Sequence, residues 1–316
     1  MKSLTVVCVQ GLANRLQVLT SGLALAEHTG RRFAMLWPRT PHCPADFADL
    51  FSNDWPVQSI KMEDIPARSS VYSRCRLRSD ETNLVVQDAT WLFSPRETEQ
   101  NIAIFERTKD FIRQLQPTSE IQHEIDAFRS AHFHKRMIGV HLRRGDFLHV
   151  HPHSSRNTPD AIEAVDLMLE TEPEAGILLC SDEPPQTHTE TQSVQFAGVR
   201  DLFRQRYGSR VVWHAAVSLD RTNPLAIRDA VTDLWLLRNT DCFVGTTHSS
   251  FSELVIVDRD VPSLIVDGHS QRYYRIVSLL RSTGLLSVLH TLSRRRHGRR
   301  MTTAGVIKQL KSSLRS

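Results

Sequence analysis

IGVHLRRGDF, residues 138–147, decides how this 316-residue chain is read. Ile138, Gly139, Val140 and Leu142 make a short apolar run of strand character, and the run closes on His141, Arg143, Arg144, Gly145 and Asp146. A strand over 137–142 therefore ends in charge. Downstream the pattern alternates regularly. Strands are expected at 176–180, 211–214, 242–245 and 263–266. Helices are expected from Pro159 with Thr158 as N-cap, over 192–206 with Gly208 as stop, over 224–239, and briefly after Ser249. Five strands interleaved with four helices describe a doubly wound α/β domain.

Upstream the same logic repeats. LTVVCVQ (4–10) reads as a strand, GLANR (11–15) as a turn, and LQVLTSGLALAEHTG (16–30) as a helix with Leu16, Leu19, Leu23 and Ala26 on one face and Gly30 as stop. RRFAMLWP (31–38) restarts as a strand, so this is a β-α-β unit of a parallel sheet. Residues 38–83 show no period beyond a strand at 57–60. NLVVQD (83–88) is a further strand and SEIQHEIDAFRSAHF (119–133) a helix. The chain is about twice the usual domain length. The expected plan is an N-terminal domain over 1–125, a C-terminal domain over 126–285 and a basic tail over 286–316, with the border near 117–136.

Composition excludes disordered and fibrous classes: 40% of residues are hydrophobic and 23% charged. The N-terminal apolar run is too short for a secretory signal. Cys8, Cys43, Cys75, Cys180 and Cys242 are scattered, with no CxxC pair, and read as reduced thiols. The expected location is cytoplasmic. The net charge of +4 is unevenly spread: eleven of the 39 basic residues follow Asp267 with no acid among them, leaving 28 bases against 35 acids over residues 1–267. The tail's SRRRHGRR (293–300) suits anionic lipid headgroups or nucleic acid, and a solvated terminus is the simpler reading. Peripheral membrane contact through the tail is kept as an expectation; a specific nucleic-acid partner is not expected.

In an open α/β sheet, ligands bind beyond the carboxyl ends of the strands. Arg143 and Arg144 stand there, and two guanidinium forks in sequence can splay around a diphosphate. Taken alone they are a surface pair braced by Asp146. Other strand ends supply company: Ser181, Asp182 and Glu183 after one, and Thr246, Thr247, His248, Ser249 and Ser250 after another, just before a helix start. Hydroxyls and backbone N–H groups at a helix N-terminus suit an oxyanion. Singly, Ser249 or Ser250 is an N-cap with Glu253 completing a capping box.

These residues resemble a known family. His141-Leu-Arg143-Arg144-Gly-Asp146 resembles the H-x-R-R-x-D signature of the α1,2-, α1,6- and protein O-fucosyltransferase superfamily. CSDE (180–183) resembles the strand-end serine–aspartate of that superfamily's next motif, and the segment 233–252 resembles its third. QGLANRLQVLTSGLALA (10–26) resembles its G-G-L-G-N-Q loop and helix, with Gly11 and Asn14 matching and Ala13 and Arg15 departing. The resemblance implies a GT-B-like α/β architecture of two Rossmann-like doubly wound domains facing a cleft. It also implies inverting, metal-independent transfer of L-fucose from GDP-fucose to a hydroxyl of a glycan or other acceptor, with no cofactor. By the same implication Arg143 neutralises the β-phosphate, Arg144 assists, Ser249 or Ser250 donates to that phosphate, His141 and Asp233 lie near ribose and guanine, and Asn14 projects toward the acceptor or the sugar. Preorganised donors on a departing diphosphate lower the barrier where no metal supplies the charge. The acceptor's base is open among Asp146, Asp182 and Glu183.

Rival signals remain. Asp258 and Asp260 in VDRDVP fit a metal-binding D-x-D but read more simply as turn residues. His149, His151 and His153 alternate as metal ligands would, in what reads as a surface loop. Trp91, Trp213 and Trp235 read as packing residues. The alternative function is a catalytically silent nucleotide-sugar-binding module, which the departures at Ala13 and Arg15 favour. A nucleic-acid binder acting through the tail would leave the strand-end residues unexplained.

Overall fold

The computed structural model describes residues 1–66, 82–92, 99–144, 157–183 and 198–266. Two compact units are present, and neither is a single stretch of chain. The first gathers the described residues of 1–133, 213–240 and 249–261; the second gathers those of 134–212, 241–248 and 262–266.

In the first unit, β1 (Ser3–Val7), β2 (Arg32–Pro38), β3 (Val57–Ile60) and β4 (Asn83–Gln87) form a parallel sheet in the order β3-β2-β1-β4. Between β1 and β2 runs α1 (Leu12–His28), whose face Leu16, Leu19, Leu23 and Ala26 is buried as its period predicts. The expected turn at 11–15 is instead the first turn of this helix, with Gly11 as N-cap. Gly30 does end it, at φ +60, where a side chain would be strained. Around the sheet lie a short α2 (Phe47–Leu50) closed by an Asp46–Asp49 capping box, a 3-10 turn (Met62–Asp64), α3 (Glu99–Gln114) and α4 (Ser119–His132). Nothing in the sequence reading anticipates α3. Its signal is there in Ile104, Thr108, Phe111 and Ile112, one buried face at helical spacing, with charged residues between them.

The second unit holds β5 (Met137–Leu142), β6 (Gly176–Ser181), β7 (Val211–Val212), β8 (Cys242–Thr246) and β9 (Ser263–Val266), all parallel in the order β7-β6-β5-β8-β9. β5, β6 and β8 are buried at every position, which is why they read as unbroken apolar runs without alternation. In β8 the chain needs glycine: a Cβ on Gly245 would stand 2.5 Å from the Phe243 ring and 3.0 Å from Ile265. α5 (Asn157–Leu169) joins β5 to β6, and α6 (Val199–Tyr207) precedes β7. α6 begins at Val199, later than the predicted 192; residues 192–197 lie outside the described ones. β7 is shorter than predicted, so Trp213 and His214 leave the strand, while α7 (Pro224–Arg238), capped by Asn223, and α8 (Ser250–Ile256) belong to the first unit. Strand order reverses between β5 and β8. That is the switch point where open α/β sheets place ligands.

Candidate functional site

The switch point carries the predicted residues. Leaving β5, the Arg143 backbone N–H donates to Thr246 Oγ1 (3.0 Å), and that hydroxyl donates to the His141 carbonyl (3.0 Å). One threonine at the end of β8 thus fixes the direction in which the arginines leave β5. From β6, Asp182 reaches both: Oδ2 accepts from Arg143 Nη1, and Oδ1 accepts from the Arg144 backbone N–H. Asp182 thus braces both arginines; Asp146, for which a bracing role is expected, and Gly145 lie outside the described residues, as do His149, His151 and His153.

Exposure separates the two arginines. Arg143 and Asp182 each keep 22% of their side-chain surface open, whereas Arg144 is 5% exposed. Burial lowers the Arg144 pKa, and Glu183 and Asp182 oppose that shift. Arg143 is the one placed to meet an anion from solvent. His141 is buried, and desolvation lowers its pKa to about 4 against the pull of Asp182, so the ring is neutral at physiological pH. Of the candidate bases, Glu183 accepts from the Val199 N–H (2.7 Å) at the start of α6, and the Ser181 hydroxyl accepts from the Glu183 N–H (3.2 Å). Glu183 is therefore engaged as a helix cap. Beyond β8, Thr247 N–H continues the pairing to Val266 (3.0 Å), and His248 is exposed at φ 56, a conformation uncommon outside glycine.

The first unit brings together a second set. Asn14 on α1 donates to the Ala89 carbonyl and accepts from Ser250 Oγ (3.1 Å). One turn on, Gln17 donates to Glu253 (3.1 Å) and accepts from Thr90 (3.1 Å), while Trp91 Nε1 donates to the same Glu253 oxygen (3.0 Å). Ser249 is the N-cap of α8, accepting from Ser252 N–H. The expected Ser–Glu253 capping box is thus realised at its serine, while Glu253 ties α8 to α1 and Trp91. Gln17 and the role of Glu253 escape sequence reasoning because their partners are up to 236 positions away. Gly11 has ordinary negative φ, and a Cβ there would meet nothing closer than the His42 carbonyl at 3.8 Å. Arg15 is wholly buried: Nε donates to the Gln10 carbonyl (2.7 Å), Nη1 to the Pro38 carbonyl (2.8 Å) and Nη2 to Thr40 Oγ1 (3.0 Å), and its guanidinium lies 4.9 Å from the Trp37 ring centroid.

Asp233, on α7, points to His214 with Oδ1 3.3 Å from Nδ1. Asp258 is a buried partner of Arg238, paired through both oxygens at 2.8 Å, which gives the D-x-D aspartate a structural role; Asp260 is exposed. Trp91 packs edge-on against Phe105, and Trp235 lies against Phe51. Cys8, Cys43, Cys180 and Cys242 are buried free thiols; Cys75 and the basic tail lie outside the described residues. No helix among the described residues is long and apolar enough to cross a membrane.

No family model matches the sequence, and no curated protein does. Solved structures do. The NodZ α1,6-fucosyltransferase soaked with GDP-fucose superposes with a TM-score of 0.53 at 18% identity, covering 81% of this chain and 92% of that one. The fucosyltransferase NodZ from Bradyrhizobium gives 0.53 at 18% identity over 85% and 97%. POFUT1 in complex with GDP gives 0.51 at 15% identity over 84% and 98%. At such identities the likeness is one of fold, and it is the α/β fold that the H-x-R-R-x-D resemblance implies.

Proposed function

We propose that this chain is an inverting, metal-independent glycosyltransferase that moves L-fucose from GDP-fucose to a hydroxyl of a glycan or another acceptor. The observation that carries the reading is the half-open Arg143, steered by Thr246 and Asp182 at the switch point of a parallel sheet. The fold shared with enzymes solved with GDP-fucose or GDP supports the choice of donor.

In this reading the acceptor oxygen attacks the anomeric carbon from the face opposite the phosphate. The glycosyl–phosphate bond breaks, and its electron pair stays on the departing GDP. Arg143 neutralises the β-phosphate as that charge grows, with Arg144, Ser249 and Ser250 as further donors. Because Arg143 is held before substrate arrives, the site needs little reorganisation at the moment of reaction. Ser181, Thr247 and His248 line the donor side together with the neutral His141. Gly11 and Asn14 belong to the acceptor side. The base for the acceptor proton is one of Asp146, Asp182 and Glu183. The protein works in the cytoplasm, and its tail over 286–316 contacts anionic membrane surfaces.

A thermal-shift panel of GDP-, UDP- and dTDP-sugars tests the donor. A ligand at 100 times its Kd stabilises the native state by about 2.7 kcal/mol. GDP-fucose should raise Tm most, with GDP close behind. Preference for a UDP-sugar would remove the donor assignment.

A further inference from the structure

From Leu12 to Ala26, α1 is buried at every position but one, and the exception is Asn14. Asn14 meets α8 in a defined register. Ser250 Oγ donates to Asn14 Oδ1 (3.1 Å), and three residues on in both helices Gln17 Nε2 donates to Glu253 Oε2 (3.1 Å), so each pair spans the same 236 positions. Residues three apart share a helix face. A partly open pair, Asn14 and Ser250, therefore sits one turn from a pair whose Gln17 is wholly buried.

The segment after β4 ties both levels. Asn14 Nδ2 donates to the Ala89 carbonyl, Thr90 Oγ1 donates to Gln17 Oε1 (3.1 Å), and Trp91 Nε1 donates to Glu253 Oε2 (3.0 Å). One turn further along α1, Ser21 Oγ accepts from the Leu92 N–H (3.2 Å). Trp91 is itself held edge-on by Phe105 of α3, with ring centroids 5.7 Å apart.

A buried amide is costly unless its polar atoms are paired, and Gln17 pairs both. What it supplies, and an apolar side chain could not, is direction. Apolar contact is non-directional and lets one helix slide on another. Hydrogen bonds instead hold donor and acceptor within about 2.7–3.2 Å. A slide of about 1 Å would break the bonds of Gln17, Glu253 and Trp91 together. The open level inherits that precision: Asn14 turns Oδ1 to Ser250 and Nδ2 to Ala89, so its amide has one orientation.

We propose that Gln17, Glu253 and Trp91 are positioning residues that lock the register of α8 on α1 and so fix Asn14 against Ser250. The consequence for catalysis rests on the transfer reading, which puts Asn14 on the acceptor side and Ser250 at the phosphate. Groups in those roles must be held within about 0.5 Å of productive geometry. A misplacement of about 1 Å can cost on the order of 100-fold in rate. Each of the three acts through Asn14 and Ser250, not on substrate itself.

The test uses the full chain. Gln17→Met keeps the side chain's length and removes both of its hydrogen bonds. Amide hydrogen exchange should quicken on the order of 10-fold in the first turn of α8, read at the Ser252 and Glu253 N–H groups that bond to Ser249, with β1 and β2 unchanged. Release of GDP from GDP-fucose should fall on the order of 10- to 100-fold in kcat, with KM for GDP-fucose within about 3-fold. A purely structural role would spread the faster exchange over β1 and β2 and leave kcat per folded molecule alone. Should Gln17→Met fail to fold, Trp91→Phe keeps an aromatic ring, removes the indole donor and should give the same pattern at about 3-fold in each readout. Unchanged exchange in α8, or quickened exchange with unaltered kcat in a chain that turns over, would overturn the proposal. A native chain that releases no GDP removes the transfer reading instead, and the register lock is then decided by the exchange result alone.

Discussion

Arg15 and Arg143, one in each compact unit, are held in opposite ways. Arg15 is fully buried and gives its donors to two backbone carbonyls and a threonine, joining the end of β1 to the chain leaving β2. Arg143 keeps part of its surface in solvent, and its guanidinium is held by an aspartate that an incoming phosphate can replace or supplement. The first arginine is committed to the fold, and the second keeps a face to solvent. A departure from the fucosyltransferase pattern at Arg15 therefore need not remove a substrate contact, because this side chain is turned inward.

Breaking the buried arginine should give the largest stability effect. Arg15→Met strands the Pro38 carbonyl in the core and removes a wholly buried guanidinium's packing, and an unpaired buried polar group costs about 1–3 kcal/mol. Urea unfolding should show a loss of about 3 kcal/mol with unchanged m. Next comes the neutral histidine beside Arg143. Folded His141 takes a proton only near pH 4, while the unfolded chain takes it near 6.5. As pH falls through that window the unfolded state binds more protons, so stability drops, on the order of 2–3 kcal/mol by pH 4. His141→Gln should remove that part of the acid sensitivity in pH-dependent unfolding. Gly11→Ala should do least, within about 0.5 kcal/mol by the same assay, because its φ is ordinary and a Cβ meets only the His42 carbonyl at a comfortable 3.8 Å.

Much of this molecule is legible in its sequence where function and fold use the same local signal. β5, β6 and β8 announce themselves as apolar runs, and each run ends in the polar residues that form the switch-point cluster: His141 to Arg144, Ser181 and Asp182, and Thr246. Gly30 reveals the end of α1 because only a left-handed residue fits there. α3 stays hidden because its buried face is diluted by six charged residues in a helix of sixteen. Contacts between distant segments leave no local trace at all. Asn14 with Ser250, Gln17 and Trp91 with Glu253, and His214 with Glu124 and Asp233 are each set by packing of elements far apart in the chain. Asp182 is legible as a strand-end carboxylate able to orient an arginine, but its choice of both Arg143 and the Arg144 N–H is set by the pairing of β5 with β6.

The central claim, that arginine in place of a metal holds the charge of a departing GDP, is tested most directly by turnover of GDP-fucose in EDTA. Release of GDP, by transfer or by slow hydrolysis, should proceed in the native chain without added metal. It should fall at least about 100-fold in Arg143→Ala, in keeping with the loss of a preorganised oxyanion donor. The variant's stability should change by less than about 1 kcal/mol, as expected for a partly exposed ion pair. Turnover that appears only with added Mg²⁺ or Mn²⁺, or that is unchanged in Arg143→Ala, would contradict the account. Tight GDP binding with no turnover across a broad acceptor panel would make the chain a nucleotide-sugar-binding module instead.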